Sequence, residues 1–526
     1  WEAAQLDGTG HLRFLWSIAA PLARAPMITI ALFHFVAGWN AFLWPLIVTN
    51  SDAYRPVQVG LQNFSYADAT NSDRSSAASP RAGSAVSFLK GDLASMRSRR
   101  VLGLLAAVLM VACGGGGGGG AAQLGALKNT VQVTFWHALS GNLQAELNTL
   151  TDKFNSSQST VHVNLVAKGA YTDLNKAVLT GLAANQPPDL AQCIETDAAK
   201  YNSSKALADL TPYINAADGL SSADLKDIFP VMLNAAKIKG TYYQFPFNKS
   251  TTVVYYNQDL FTAKGISGPP ATWDEFFADA AKLADSSKGV TGAEGPSIDT
   301  FLSMLYEYGG HLYDNDSSPG KTAVNSDAGV KAMTLWYNAI KAGSVKPIPA
   351  GNFADQTDFQ NQKTAMYIST QVSYQFIVKP IGNKFKFAET AFPAGDKGTK
   401  DEMFGANLCV LNKSAKDVQH GAFLYIKYLT SVDSTTAWAQ NTSYMPVRQS
   451  AYKSLTDSFY SQNPNQGVGP SVLSKGGLIV LPSTPTSNEQ RDALSTELGN
   501  IAALRKDPKT GLNDAATKMN DILATG

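Results

Sequence analysis

Arg491 is the side chain of this sequence best placed to hold an anion. Ser487-x-x-Gln490 reads as a capping box, which predicts that Arg491 lies in the first turn of a helix running to Leu504. Leu494, Leu498 and Ile501 mark that helix's buried face, and Arg491 shares it, three and seven residues before the first two. A guanidinium there must be paired, because an isolated buried charge is prohibitive. Its planar fork fits a phosphate or a carboxylate through two parallel hydrogen bonds. Two readings stay equally open: an anion-binding arginine, or a structural ion pair with an Asp or Glu from the opposite lobe.

Three further candidates sit where strands give way to loops. Phe135-Trp136-His137 ends one apolar-alternating run, Tyr171 follows a second beside Gly169, and Glu195 follows a third in Cys193-Ile194-Glu195-Thr196. The elements that must position them are legible. Val131, Val133 and Phe135 alternate as a half-buried strand; Leu143, Leu147, Leu150 and Phe154 repeat at helical spacing; Val161, Val163 and Leu165 alternate again. Leu174 and Val178 mark another helix, and Pro187-Pro188 leads into a short strand around Leu190. Strand, helix, strand, helix, strand predicts a mostly parallel sheet covered by helices, with ligands at the carboxyl ends of the strands. Trp136, Tyr171 and Glu195 all fall on that edge. The alternative for each is a surface loop residue or, for Trp136, core packing.

Several classes of chemistry are excluded or left without support. The 526 residues carry a net charge of +1, so nothing suggests the basic stripe that nucleic acid requires. There is no Gly-x-Ser-x-Gly elbow, no phosphate-cradling Gly-x-x-x-x-Gly-Lys loop and no His-Glu-x-x-His pair, and the six histidines lack ligand spacing. No cofactor or metal is expected. Carboxylates are plentiful, so a hydrolase acting through a carboxylate pair is the remaining enzymatic alternative. Of the three cysteines, Cys113, Cys193 and Cys409, the last two form the only pair that could bridge if Cys113 is lipid-modified. Two isolated cysteines are more often buried apolar side chains, and these are read that way.

Beyond the first sheet, residues 244–257 read as an extended stretch ending in a strong strand, and Thr272-Trp273-Asp274-Glu275 is a capping box opening a helix through Leu283. About 400 residues exceed one comfortable core, so two lobes are expected. With no Gly/Ser linker, the chain should cross between lobes in extended segments, at 244–250 and within 385–404. The expected solute-binding region is 129–526, with lobe 1 at about 129–244 and 385–432 and lobe 2 at about 250–380 and 433–526. Residues from Lys416 onward should be mostly helical.

The first part of the chain has a different character. Residues 26–48 contain no charge, about 23 residues or roughly 34 Å of helix, enough to span a bilayer. Residues 65–95 are rich in Ser, Ala, Asp and Arg and read as a disordered linker. Residues 96–113 combine Met96-Arg-Ser-Arg-Arg100, a short apolar core and Cys113, the parts of a lipoprotein signal peptide. A glycine run then opens a flexible tether at 114–128.

Glu2-Ala3-Ala4-x-x-Asp7-Gly8 followed by Gly38-Trp39-Asn40-x-Phe42-x-Trp44-Pro45 resembles the coupling loop and the next span of ABC sugar-type permeases. The resemblance covers residues 1–64 and implies that Glu2, Ala3, Ala4 and Gly8 would meet an ATPase subunit. Residues 1–95 are therefore expected to be a permease end read into its downstream neighbour, with the functional protein starting at Met96 and its mature form at a lipidated Cys113.

Thr134-Phe-Trp-His137, Lys168-Gly-x-Tyr171, Phe245-Pro-Phe-Asn248-x-Ser250-Thr251, Val254-Tyr-Tyr-Asn257 and Thr442-Ser-Tyr444-Met-Pro446 resemble the family-1 extracellular solute-binding proteins of ABC importers, nearest its glycerol-phosphate-binding branch. The resemblance implies an α/β, two-lobe periplasmic-binding-protein-like fold with hinge crossings, here preceded by a single transmembrane helix fragment. It implies a non-enzymatic, extracytoplasmic, membrane-anchored receptor that hands a small molecule, glycerol phosphate or alternatively a sugar, to ABC permease subunits. Carried over position by position, the ligand contacts would be Tyr171, Glu195, Ser250, Thr370, Gly405, Tyr444 and Arg491, with Trp136 as a possible addition. The chain departs from that branch at Ala293-Glu-Gly-Pro-Ser297-Ile298, where an aromatic loop is usual.

Overall fold

The computed structural model describes residues 124–350 and 353–525. The expected permease fragment with Glu2, Ala3, Ala4 and Gly8, the 26–48 span, the 65–95 linker, the signal peptide and Cys113 lie outside the described residues, as does most of the tether. Among the described residues, no helix is long and apolar enough to cross a membrane.

The alternating and helical runs form the elements their spacing dictates. They are β1 (Val131–His137), α1 (Gly141–Ser157), β2 (Val161–Ala167), α2 (Tyr171–Ala183) and β3 (Leu190–Cys193); a helix, α3 (Glu195–Ser203), follows where a loop was expected. Leu143, Leu147, Leu150 and Phe154 are the buried stripe of α1, each contributing about 1.5–3 kcal/mol by leaving water. β1 pairs in parallel with β2 and with β3. Two later strands, β4 (Phe245–Ser250) and one from much further along, complete this sheet.

The chain then enters a second sheet through β5 (Thr252–Asn257), so a single residue, Thr251, separates the two sheets. This sheet adds β6 (Thr291–Glu294), β7 (Val345–Lys346), β8 (Thr364–Thr370) and β9 (Phe387–Ala391), in the order β9-β5-β8-β6-β7. Helices α4 (Trp273–Leu283), α5 (Ile298–Glu307) and α6 (Asp327–Lys341) cover it. α4 begins with the capping box foreseen: the Glu275 amide donates to Thr272 Oγ1, and the Thr272 amide donates to the Glu275 carboxylate. The chain returns through β10 (Asp401–Glu402) to β11 (Phe404–Val410), which lies antiparallel between β3 and β4, giving the order β2-β1-β3-β11-β4.

After β11 come α7 (Lys416–Leu429) and α8 (Val432–Thr442), then β12 (Leu478–Ile479), α9 (Ser487–Ala502) and α10 (Pro508–Leu523). Trp438, Tyr444, Met445, Val447, Val472 and Leu473 all join the first sheet's core, whereas Leu481, Leu494, Leu498 and Met519 join the second. The third crossing therefore falls at about residues 478–481, not at 432/433. β9 likewise belongs to the second sheet, not to lobe 1. Helical runs alone do not say which sheet they cover.

The three crossings are stitched to one another. β10 pairs in parallel with β12, joining the second crossing to the third. Asp401, fully buried, takes hydrogen bonds from the Thr251 hydroxyl, the Thr252 amide and the Ser303 hydroxyl, joining the first to the second. Cys193 on β3 and Cys409 on β11 form a disulfide, with Cα atoms 6.0 Å apart. This corrects the reading of two separate buried cysteines: β3 and β11 become neighbours only through the long return, which spacing does not reveal.

Candidate functional site

Between the two sheets lies a cavity of about 100 Å³ that Glu195, Glu402, Phe404, Gly405, Tyr313 and Arg491 help to line. Three of the expected contacts, Glu195, Gly405 and Arg491, thus meet on one surface. Each comes from a different element: Glu195 opens α3, Gly405 sits in β11, and Arg491 lies in the second turn of α9.

The start of α9 differs from the expected capping box. Ser487 is already helical and its hydroxyl accepts from the Thr484 amide (2.7 Å), while the Gln490 side chain donates to the hydroxyls of Thr484 and Thr486 at 3.0 Å. The helix therefore grips the incoming loop instead of capping itself, and it ends at Ala502 rather than Leu504.

Arg491 is paired with two carboxylates. It donates to Asp299 and, through Nη1, to Glu402 Oε1 at 3.3 Å. Burial works against its charge, but Glu402 and Asp299 outweigh burial and hold its pKa above the ordinary value. Asp299 is placed by the loop that departs from the family pattern: Ser297 caps α5, accepting from the Thr300 amide, and Asp299 is the second residue of the helix. The other oxygen of Glu402, Oε2, is buried without a hydrogen-bond partner. Burial raises the Glu402 pKa; Arg491 opposes this, and Asp299, Asp401 and Glu195 add to it.

The second cation of the cleft is Lys249, with no exposed surface. Its ammonium donates to Glu195 Oε1 and, at 3.2 Å, to the carbonyl of Gly405. Gly405 has φ +92°, and a Cβ there would lie 2.1 Å from the Asn248 carbonyl oxygen, so glycine is required for β11 to approach β4. Asn407 also donates to Glu195 (3.0 Å) and to Gln244 (2.8 Å).

A relay of amides runs away from this cavity. The Ala138 amide donates to Gln192, Gln192 donates to Asn248, and Asn248 donates to the Tyr171 hydroxyl at 2.8 Å. Tyr171 and Tyr444 interact through their hydroxyls, and burial followed by the neighbouring phenol raises the Tyr171 pKa. Tyr444 stacks on Trp438, with ring centroids 5.8 Å apart.

The remaining expected residues lie elsewhere. Ser250 ends β4 at the first crossing, buried, with its hydroxyl 3.5 Å from the Thr251 carbonyl. Thr370 ends β8, and its hydroxyl accepts from the Val372 amide. Neither is part of the cavity lining. Trp136 lies on the strand edge as expected, partly buried, with Lys168 Nζ 3.9 Å from its ring centroid. Sequence reasoning missed Lys249, Glu402 and Asp299. Lys249 left a signal, as the single charge in the run Phe245-Pro-Phe-Asn-Lys249-Ser-Thr-Thr-Val-Val-Tyr-Tyr. Among the described residues, no group of three or more His, Cys, Asp and Glu is arranged to hold a metal ion.

Residues 149–466, more than half of the chain, match the model of the bacterial extracellular solute-binding proteins. The chain belongs to that family. Residues 1–115 match a second model, that of the inner membrane component of binding-protein-dependent transport systems. Among curated solute-binding relatives, the sn-glycerol-3-phosphate-binding periplasmic protein UgpB of Yersinia enterocolitica is 29% identical over 415 residues, covering 74% of this chain and 92% of the relative. UgpB of Rhizobium meliloti is 24% identical, covering 75% and 94%. Solved structures share the two-lobe α/β fold. UgpB from Mycobacterium tuberculosis in complex with glycerophosphocholine aligns with a TM-score of 0.67 at 20% identity, covering 76% of this chain and 99% of that one. The GacH receptor of Streptomyces glaucescens, solved unliganded and with acarbose, aligns with a TM-score of 0.66 at 20% identity, with the same coverage.

Proposed function

We propose that this solute-binding protein captures sn-glycerol 3-phosphate or a glycerophosphodiester between its lobes and delivers it to an ABC permease, making and breaking no bond. The observation that carries this is the meeting of Arg491, Glu195 and Gly405 on one interlobe cavity, the positions where the family resemblance implies ligand contacts. UgpB relatives, named for glycerol-3-phosphate binding, span 92% of their length on this chain. Arg491 would hold the phosphate, and Glu195 would accept from glycerol hydroxyls. Tyr171, Tyr444, Ser250 and Thr370 would be recruited as the lobes close about the stitched crossings. The protein would work outside the cytoplasm, where the Cys193–Cys409 bridge persists, anchored through Cys113 or the 26–48 segment. Intact mass of the cell-made protein tests the anchor: retention of residues 1–95 would refute the two-protein reading.

One observation favours a second reading, a neutral sugar. Arg491 already carries two carboxylates and Lys249 a third, so neither of these two cations is uncommitted for a phosphate. The Arg491→Ala variant separates the two. Titration calorimetry should show affinity for glycerol 3-phosphate falling at least about 100-fold, or about 2.7 kcal/mol. Unchanged affinity would remove the phosphate reading.

A further inference from the structure

Glu402 is left unexplained by a cleft that only neutralises its own charges. It lies on the second crossing, three residues before Gly405, and is 8% exposed. One oxygen meets Arg491, the other has no partner, and the residue lines the same cavity as Arg491, Glu195 and Gly405. The charged groups around it come from five elements. Arg491 is on α9, Asp299 on α5 and Glu195 on α3, the last held by Lys249 of β4; Asp401 is its neighbour on β10. Two cations thus stand against Asp299, Glu195 and Glu402, before Asp401 is counted. An anion arriving at Arg491 adds negative charge to a site already in excess.

The backbone of Glu402 is not free to carry it into water. Its strand is paired with β12, and its amide donates to the Ser303 hydroxyl at 3.0 Å. Binding a proton relieves the excess without movement. That removes one negative charge and converts Oε2 from an orphaned acceptor, costly when buried, into a donor toward the cavity.

We propose that Glu402 is a further ligand-binding residue: when an anion binds at Arg491, the Glu402 carboxylate takes up one proton from solvent and donates it, in a hydrogen bond from Oε2, to the anion. This rests on the anionic-ligand reading above. The raised pKa of Glu402 agrees with this: burial and the neighbouring carboxylates already lean it toward the protonated form.

The test is titration calorimetry with glycerophosphocholine, a phosphodiester whose own charge is constant from pH 6 to 9. Titrations at pH 8 in two buffers of different ionisation heat count the protons exchanged. The wild type should take up about half a proton per ligand, with Kd rising by up to tenfold per pH unit as pH increases. Glu402→Gln should exchange none, lose the pH slope and bind more tightly than the wild type at pH 8. Should that variant not fold, the wild-type proton count decides alone. Binding without proton uptake overturns the role of Glu402 and leaves the ligand reading intact, as does uptake that persists in Glu402→Gln. Failure of the wild type to bind either glycerophosphocholine or glycerol 3-phosphate at any pH overturns the ligand reading, and this inference with it.

Discussion

Lys249 holds the cavity side of the first sheet together by charge. Its ammonium has no access to water, so its solvation comes from the Glu195 carboxylate and the Gly405 carbonyl. Removing one partner of a buried ion pair costs more than the pair contributes, because the other charge stays behind. Lys249→Met should destabilise the protein by roughly 3 kcal/mol in urea unfolding, with little change in m. Lys249→Met combined with Glu195→Gln should recover part of that loss, since no lone charge remains. Loss of binding without loss of stability would show that Lys249 contacts ligand and is not structural. Arg491 was legible in the sequence from its helical face and Glu195 from its place after a strand, whereas Gly405 was reached only through the family resemblance. Glu402 and Asp299 were not legible, since an acidic residue near a strand or in the first turn of a helix is ordinary until packing sets it against an arginine.

At the scale of elements, periodicity predicted β1 to β3 because each buries one face against a neighbour close in sequence. It failed where side chains take partners that periodicity does not register, near or far in sequence. Ser487 and Gln490 have capping-box spacing, yet their side chains bond Thr484 and Thr486 because the loop leading into the helix supplies those groups first. The cysteines lie 216 residues apart, and only the return of β11 brings them together. That span makes their bridge valuable: closing so long a loop restricts the unfolded chain by about 3–5 kcal/mol. Replacing both cysteines with alanine should lower stability by that order, read as a fall in the thermal midpoint by calorimetry. Ligand affinity should be preserved within about threefold, because neither sulfur lines the cavity.

For the molecule as a whole, buried carboxylates set the pH response. Burial holds Asp197 at about 6, Asp401 at about 7, and Glu294 and Glu307 at about 8, against about 4 in an unfolded chain. Each favours the folded state most when protonated, below pH 4, and that contribution is lost as pH rises to the folded value. Asp224, whose Ser221 hydrogen bond lowers its pKa, acts in the opposite sense, as does Glu497, drawn down to about 2 by Lys506 and Lys518 despite burial. Their effect is confined to pH below about 4. Stability should therefore peak near pH 4–5, and the calorimetric midpoint should be roughly 5 °C lower at pH 8 than at pH 5. A flat profile between those values would mean that the buried carboxylates stay ionised.

The place of β11 also sets a clock. Until Val410 is made, β3 and β4 have nothing between them, and the first lobe cannot close. At synthesis rates of about 5–20 residues per second, the 216 residues from Cys193 to Cys409 take roughly 10–40 s. For that interval the early strands wait with open edges and their cysteine unpaired. A receptor that works outside the cytoplasm gains from such a delay, because a lobe that cannot yet close is still a thread that can be drawn through a membrane.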